Sequence, residues 1–258
     1  MFDNQISEIG IGTEETKGLE LLKNRSSVGS LSETDEYSVD EMYRFWLNSR
    51  NIKESPISGR EPFPGEMLRP SLENIRPSNS MLDLIVEYYT ATYEPMKFRR
   101  PFGQGSLNDT IIRVKINKFG RCRIGSELFG SVMSSRYTKS SYVLAKFVTN
   151  DNSVDCYPGQ IQYFFKHIVD LPQPTEHFLA YVRWYQPVSS SSVRYHFGID
   201  DVCNVELWHT EFYPESRDCI IPVHHILGRF IPVKYKLSNR RNAVEYLAVN
   251  PTSRKYQI

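Results

Sequence analysis

Between Asp155 and Tyr235 the chain breaks into short runs of aromatic and β-branched residues: Cys156–Lys166, His177–Tyr185, Val202–Trp208, Cys219–Val223 and Arg229–Val233. Leu-Pro-Gln-Pro, Gln-Pro-Val-Ser-Ser-Ser-Ser and Tyr-Pro-Glu-Ser separate them. Such side chains suit a pleated surface, and Pro and Ser clusters interrupt it, so the spacing predicts a small barrel or sandwich.

From Thr110 the hydrophobic period is 2. Ile112, Val114 and Ile116 alternate with Arg113 and Lys115; after a turn predicted at Asn117-Lys-Phe-Gly, Cys122 and Ile124 alternate with Arg121 and Arg123. A hairpin of this kind turns apolar side chains inward and gathers Arg113, Lys115, Lys118, Arg121 and Arg123 on one outer face. No acidic residue lies between Asp109 and Glu127. The row suits a nucleic-acid backbone, although the plainer reading, which weighs more, is a strand pair that simply solvates its outside. Lys234, Lys236, Arg240 and Arg241 extend the basic character past the last run, where Ala243–Val249 predicts a final strand.

The same alternation sorts the aromatic residues. Phe178, Ala180, Val182 and Trp184 fall on one face, and Leu179, Tyr181, Arg183 and Tyr185 on the other. In the next run Cys203, Val205 and Leu207 point inward, while Asn204, Glu206 and Trp208 point outward. Tyr181, Tyr185 and Trp208 beside Glu206 are the ingredients of a methyl-ammonium cage or a base-stacking surface. A covering helix or arm would instead make them core.

Upstream the composition changes. Residues 1–37 are rich in Ser, Glu, Thr, Gly and Asp and cannot bury enough apolar surface to offset ordering, which predicts an acidic disordered segment. Residues 38–109 predict a short helix capped by Ser38 with Met42, Phe45 and Trp46 on one face, then an extended arm with Pro56, Pro62, Pro64, Pro70 and Pro77. A second helix follows over 81–93, capped by Ser80, with Leu82, Ile85, Val86 and Tyr89 as its stripe and Asp83 completing a capping box. Residues 110–258 form the β domain with its basic C-terminal segment. The expected fold is therefore mainly β: a small β-barrel, two short helices, a Pro-rich extended arm and a disordered acidic N-terminus.

The charge is divided unevenly. Residues 1–95 carry 9 Lys and Arg against 17 Asp and Glu, and residues 96–258 carry 22 against 13. A basic folded half favours an anionic partner. No apolar run approaches a membrane span, and Met1-Phe-Asp-Asn-Gln lacks the features of a secretory signal, so a soluble intracellular chain without a membrane partner is expected. Cys122, Cys156, Cys203 and Cys219 have no Cys-x-x-Cys spacing, which predicts reduced, mostly buried thiols. His209, His224 and His225 with Glu211 lack the partner spacing of a metal site. Gly10-Ile-Gly12 and Gly103-Gln-Gly105 lack the strand-to-helix setting of a phosphate loop, and no Gly-x-Ser-x-Gly elbow occurs. No enzyme, metal or cofactor is expected.

Thr175–Pro187 and Cys219–Val233 resemble a Val-Arg-Trp-Phe-type strand and the closing segment of bromo-adjacent homology (BAH) domains. Gly120–Val132, Tyr142–Phe147, Tyr157–Phe165 and Leu179–Tyr185 are similar to a β region downstream of the transposase core in fungal CACTA-type mobile-element proteins, here without the RNase-H-like part. These resemblances imply a nuclear, transposon-derived β module. Its expected partners are a DNA or RNA backbone, met by the cations, or a chromatin protein whose histone-like peptide the outer aromatics read.

Overall fold

The computed structural model describes residues 57–63, 65–148, 154–198, 205–239 and 242–251. The disordered segment expected over 1–37, the helix expected from Ser38, Cys203, Arg240 and Arg241 lie outside them. The fold is mainly β. Its strands in chain order are β1 (Gly65–Ile75), β2 (Phe98–Arg99), β3 (Thr110–Ile111), β4 (Ile116–Ile124), β5 (Glu127–Phe129), β6 (Tyr142–Val148), β7 (Val154–Asp170), β8 (Pro174–Pro187), β9 (Glu206–Phe212), β10 (Ile220–Pro222), β11 (Ile226–Asn239) and β12 (Asn242–Pro251). Two α-helices accompany them among the described residues, α1 (Asn79–Thr92) and the single turn α2 (Ser191–Arg194). One antiparallel sheet of ten strands runs β1-β4-β7-β6-β11-β12-β9-β8-β10, with β5 on β4 and a further β7–β8 ladder, while β2 and β3 form a small parallel pair.

The spine is the hairpin of β7, 17 residues long, and β8, 14 residues long. Its strands read as near-continuous apolar runs because both faces are covered. Phe165, Val169 and Leu179 pack against α1, whereas Ile161, Phe164, Ala180 and Val182 join Cys122, Phe129, Val143 and Ile226 on the other side. Gly159 faces Trp184 across this ladder, and a Cβ there would lie 2.5 Å from Trp184 Cε3 and 2.6 Å from Val182 Cγ1. Gly159→Ala is expected to destabilise the fold by about 1–3 kcal/mol through overpacking, read as a lower urea midpoint; an unchanged midpoint would mean the indole swings away freely.

Helix α1 has the predicted 3.6 periodicity, but its cap is Ser78, whose hydroxyl accepts from the Met81 amide, not Ser80. Two residues of extended chain were thus gained by the helix, and Asp83 pairs with Arg100 at 2.7 Å instead of closing a capping box. Its buried face, Met81, Leu82, Ile85, Tyr88 and Tyr89, seats on the spine. Two buried polar links fasten it there. The Tyr89 hydroxyl lies 2.9 Å from His167 Nδ1, whose Nε2 is 2.8 Å from the Arg113 carbonyl. Because a carbonyl only accepts, Nε2 carries the proton and Nδ1 accepts from the phenol. Tyr93 donates likewise to His177 Nε2 at 2.5 Å, while His177 Nδ1–H donates to the Thr175 carbonyl at 3.2 Å.

Where a hairpin with a turn at Asn117–Gly120 was expected, β4 is one continuous strand and the stretch before it is nearly strand-free. Lys118 pairs with Leu72 of β1 on one side and Phe165 of β7 on the other, so ladders on both edges outweigh local turn preference. Gly120 serves close approach instead: a Cβ there would meet the Pro70 ring at 2.7 Å. Much of the Pro-rich stretch is β1, an exposed edge strand broken by register shifts.

A third apolar cluster lies among the C-terminal strands. Tyr185, Trp208, Phe230, Leu247 and Val249 form it, with Tyr142, Leu144, Tyr157 and Phe212 against them. No helix of the described residues is long and apolar enough to cross a membrane.

Candidate nucleic-acid interface

The predicted five-cation face is not assembled. In a continuous β4, Lys118 falls on the face opposite Arg121 and Arg123, and its ammonium sits 4.0 Å above the Tyr163 ring, partly buried, which lowers its pKa. Arg113 grips Asp170 through Nε–Oδ2 at 3.0 Å and Nη2–Oδ1 at 2.6 Å, and this fork holds the Asp170 carboxyl below its ordinary range. Arg121 Nε donates to the Arg69 carbonyl at 2.6 Å and its guanidinium covers Tyr137 at 4.6 Å. Arg123 lies 3.7 Å from Glu66. Lys115 is exposed, beside a depression whose walls include Arg113 and Lys166 together with Asp170 and Glu176. The surface is mixed in sign because β1, the end of β7 and the start of β8 bring carboxylates that are distant in sequence.

The predicted aromatic cage is not assembled either. Trp208 is 1% exposed and belongs to the third cluster, and Tyr185 is 6% exposed, tilted against Phe212 at 4.6 Å between ring centres. Leu207 is also fully buried, so alternation cannot mark an outer face: both sides of β9 are covered. Glu206 accepts from Arg194 Nε at 2.8 Å and from Trp208 Nε1 at 3.2 Å, and the Arg194 guanidinium lies 4.7 Å over the indole. The protein's own arginine thus holds the place a methyl-ammonium would need. Tyr181 is half-buried and packs on Tyr163 at 5.3 Å, apart from the other three.

The C-terminal cations are placed differently. β11 pairs with β6 only over 226–229 and β12 with β9 only over 247–249. Among the described residues, Lys234–Asn239 and Asn242–Tyr246 carry ladder pairings only with each other, making a two-stranded ribbon. Lys234 and Lys236 share one face with Glu245, 2.9 Å from Lys234, and both lysines are exposed. Arg240 and Arg241 lie between the two strands in sequence. The stretch 233–246 therefore carries four cations and one carboxylate. The opposite face bears Ile231, Val233 and Val244, each about half exposed.

At the base of the ribbon is an open cavity of about 420 Å³, lined by Tyr142, Tyr185, Thr210, Pro232, Lys234 and Leu247. Burial and the neighbouring Tyr142 phenol push the Tyr185 phenol well above its ordinary pKa, so it remains a neutral hydroxyl. Of these residues only Tyr185 and Lys234 were singled out by sequence reasoning. The others come from β6, β9, β11 and β12, and no local pattern joins them.

The histidines grouped by sequence take different partners. His209 packs on Tyr246 with ring centres 5.9 Å apart, His224 Nε2 reaches the Pro62 carbonyl at 3.3 Å, and His225 is buried. Among the described residues no group of three or more His, Cys, Asp and Glu could hold a metal ion. Cys122 and Cys219 are buried free thiols. No protein-family model matches the chain. Neither a search of curated proteins nor a search of solved structures found a match, so function rests on the chemistry of the surface itself.

Proposed function

We propose that the protein is a binding module that holds the phosphate backbone of a nucleic acid on the β11–β12 ribbon. The carrying observation is the placement of Lys234 and Lys236 on one face of a two-stranded ribbon whose connecting residues are Arg240 and Arg241. A cationic ribbon of this kind can follow a strand or enter a groove, and backbone contacts from Lys and Arg supply most sequence-independent affinity. The ladders β6–β7, β7–β8, β8–β9, β9–β12, β12–β11 and β11–β6 support reading the platform beneath it as a small six-stranded barrel. Each of those strands also contributes at least one side chain to the third cluster. A chromatin setting rests on the resemblance of Thr175–Pro187 and Cys219–Val233, and a nuclear location on that together with the mobile-element resemblance.

A second reading, a protein partner, is favoured by one feature: the half-exposed Ile231, Val233 and Val244 on the reverse of the ribbon.

The two readings separate by charge reversal. Binding of the chain to single-stranded and duplex DNA across a salt series is expected to give a slope of log affinity on log salt near −3 for single strands if about four phosphates are engaged. Lys234→Glu with Lys236→Glu, Arg240→Glu and Arg241→Glu should abolish it. Reversing Arg121 and Arg123 should change affinity by less than about threefold, because both lie on β4 and not on the ribbon. Salt-independent binding, or loss from the Arg121 and Arg123 variants alone, would refute the ribbon as the contact surface.

A further inference from the structure

We infer that the cavity lined by Tyr142, Tyr185, Thr210, Pro232, Lys234 and Leu247 receives one unpaired nucleobase of the strand whose phosphates lie on the ribbon, a deepening that rests on the ribbon's proposed role. The residue that links the two is Lys234. It lines the cavity and belongs to the exposed cation row that it shares with Lys236. A phosphate held by that ammonium would leave its own sugar and base directed at the cavity wall.

The wall suits a base. Its volume, about 420 Å³, falls in the ~300–1,000 Å³ range of small-ligand sites. The half-buried Tyr142 ring and the small part of Tyr185 left open line it with Pro232 and Leu247, and the Thr210 and tyrosine hydroxyls can meet ring nitrogens and carbonyl oxygens. Both rings already pack on aromatic neighbours, Tyr142 edge-on to Phe230 at 5.6 Å and Tyr185 tilted against Phe212 at 4.6 Å, so a bound base would not have to order them. Charge decides against the other occupant an aromatic pocket suggests. A methyl-ammonium would sit beside the Lys234 ammonium, no carboxylate lines the cavity, and Glu245 is bound to that same lysine at 2.9 Å. A base in a duplex cannot enter without leaving its stack, which makes a single strand the ligand.

The test compares an oligothymidylate of about twelve nucleotides with an abasic strand of the same length, which keeps the phosphates and removes the bases. Both are titrated against the full chain and against Thr210→Trp, whose indole fills the cavity from β9, with Thr210→Phe as a smaller plug should the first not fold. The abasic strand is expected to bind roughly tenfold more weakly with an unchanged salt slope. Either plug should bring oligothymidylate down to the abasic level and leave abasic binding as it was. Equal affinity of the two strands would overturn the cavity assignment while the ribbon reading stands. Discrimination that survives both plugs would place the base elsewhere and likewise overturn it. Plug-sensitive discrimination that survives reversal of the ribbon cations would keep the cavity and remove the ribbon. Plug-sensitive binding of a trimethyl-lysine peptide, with neither strand bound, would overturn both.

Discussion

Trp208→Ala is expected to cost about 3–5 kcal/mol of stability, a large share of the ~5–15 kcal/mol that holds a domain folded. The indole is 1% exposed and lies edge-on to Tyr157 at 5.6 Å, with Phe230, Leu247 and Val249 in the same cluster. Removing it opens a cavity where several strands meet. It also strips Arg194 of its ring and Glu206 of an N–H donor, so a partly buried ion pair loses two supports. Trp208→Phe should recover more than half of the loss, since it restores most of the apolar volume and not the Nε1–H. Urea unfolding of the two variants measures both effects. A loss below about 1 kcal/mol for Trp208→Ala would contradict the burial described and return the indole to the outer face that alternation suggests.

Acidification is expected to unfold the protein progressively between about pH 6.5 and pH 4. Burial pushes His167 and His225 down to about 4, and both are neutral in the fold. Each folded value lies below the unfolded one near 6.5, so the unfolded chain binds protons first. The stability these groups contribute is complete above pH 6.5 and is lost as the pH falls toward 4. A shift of this size corresponds to roughly 3 kcal/mol per histidine. Chemistry accounts for the direction at His167: Nδ1 accepts from Tyr89, and a proton placed there would face the phenol hydrogen. Its charged neighbours oppose one another, Arg113 and His177 disfavouring the proton and Asp170 favouring it. At His225, His224 disfavours the proton and Glu61 favours it. Urea midpoints measured from pH 4.5 to 8 should rise and then level near 6.5, and His167→Gln should flatten about half of the rise. A midpoint independent of pH over that range would show that these rings are solvated.

The ribbon and the acid-sensitive links lie on different parts of the molecule. The tyrosine–histidine pairs fasten α1 to the β7–β8 spine, whereas Lys234 and Lys236 lie on β11, which pairs with β6 and with β12. Binding measurements near pH 7.5, above the window in which the histidines titrate, therefore report on the surface without a contribution from partial unfolding.

Short-range chemistry was enough for those elements whose partners are near in the chain or whose burial is one-sided. The 3.6 period of Leu82, Ile85 and Tyr89 makes α1 legible, Leu-Pro-Gln-Pro marks the turn of the β7–β8 hairpin, and Ala243–Val249 reads as a strand. Lys234 and Lys236 could be named because the charge of their segment is nearly uniform in sign, which needs no knowledge of what covers it. Three things required the tertiary structure. Asn117–Gly120 has the residues of a turn, yet becomes strand because β1 and β7 supply hydrogen bonds to both its edges from over forty residues away. Glu66 and Asp170, far from 113–123 in sequence, neutralise cations that look unopposed. Trp208 and Leu207 are neighbours on opposite faces and both are buried, Trp208 beneath side chains from strands distant in the chain such as Tyr157, Phe230 and Leu247. A period of 2 reports which side chains share a face, whereas the order in which distant strands pair decides whether that face meets water.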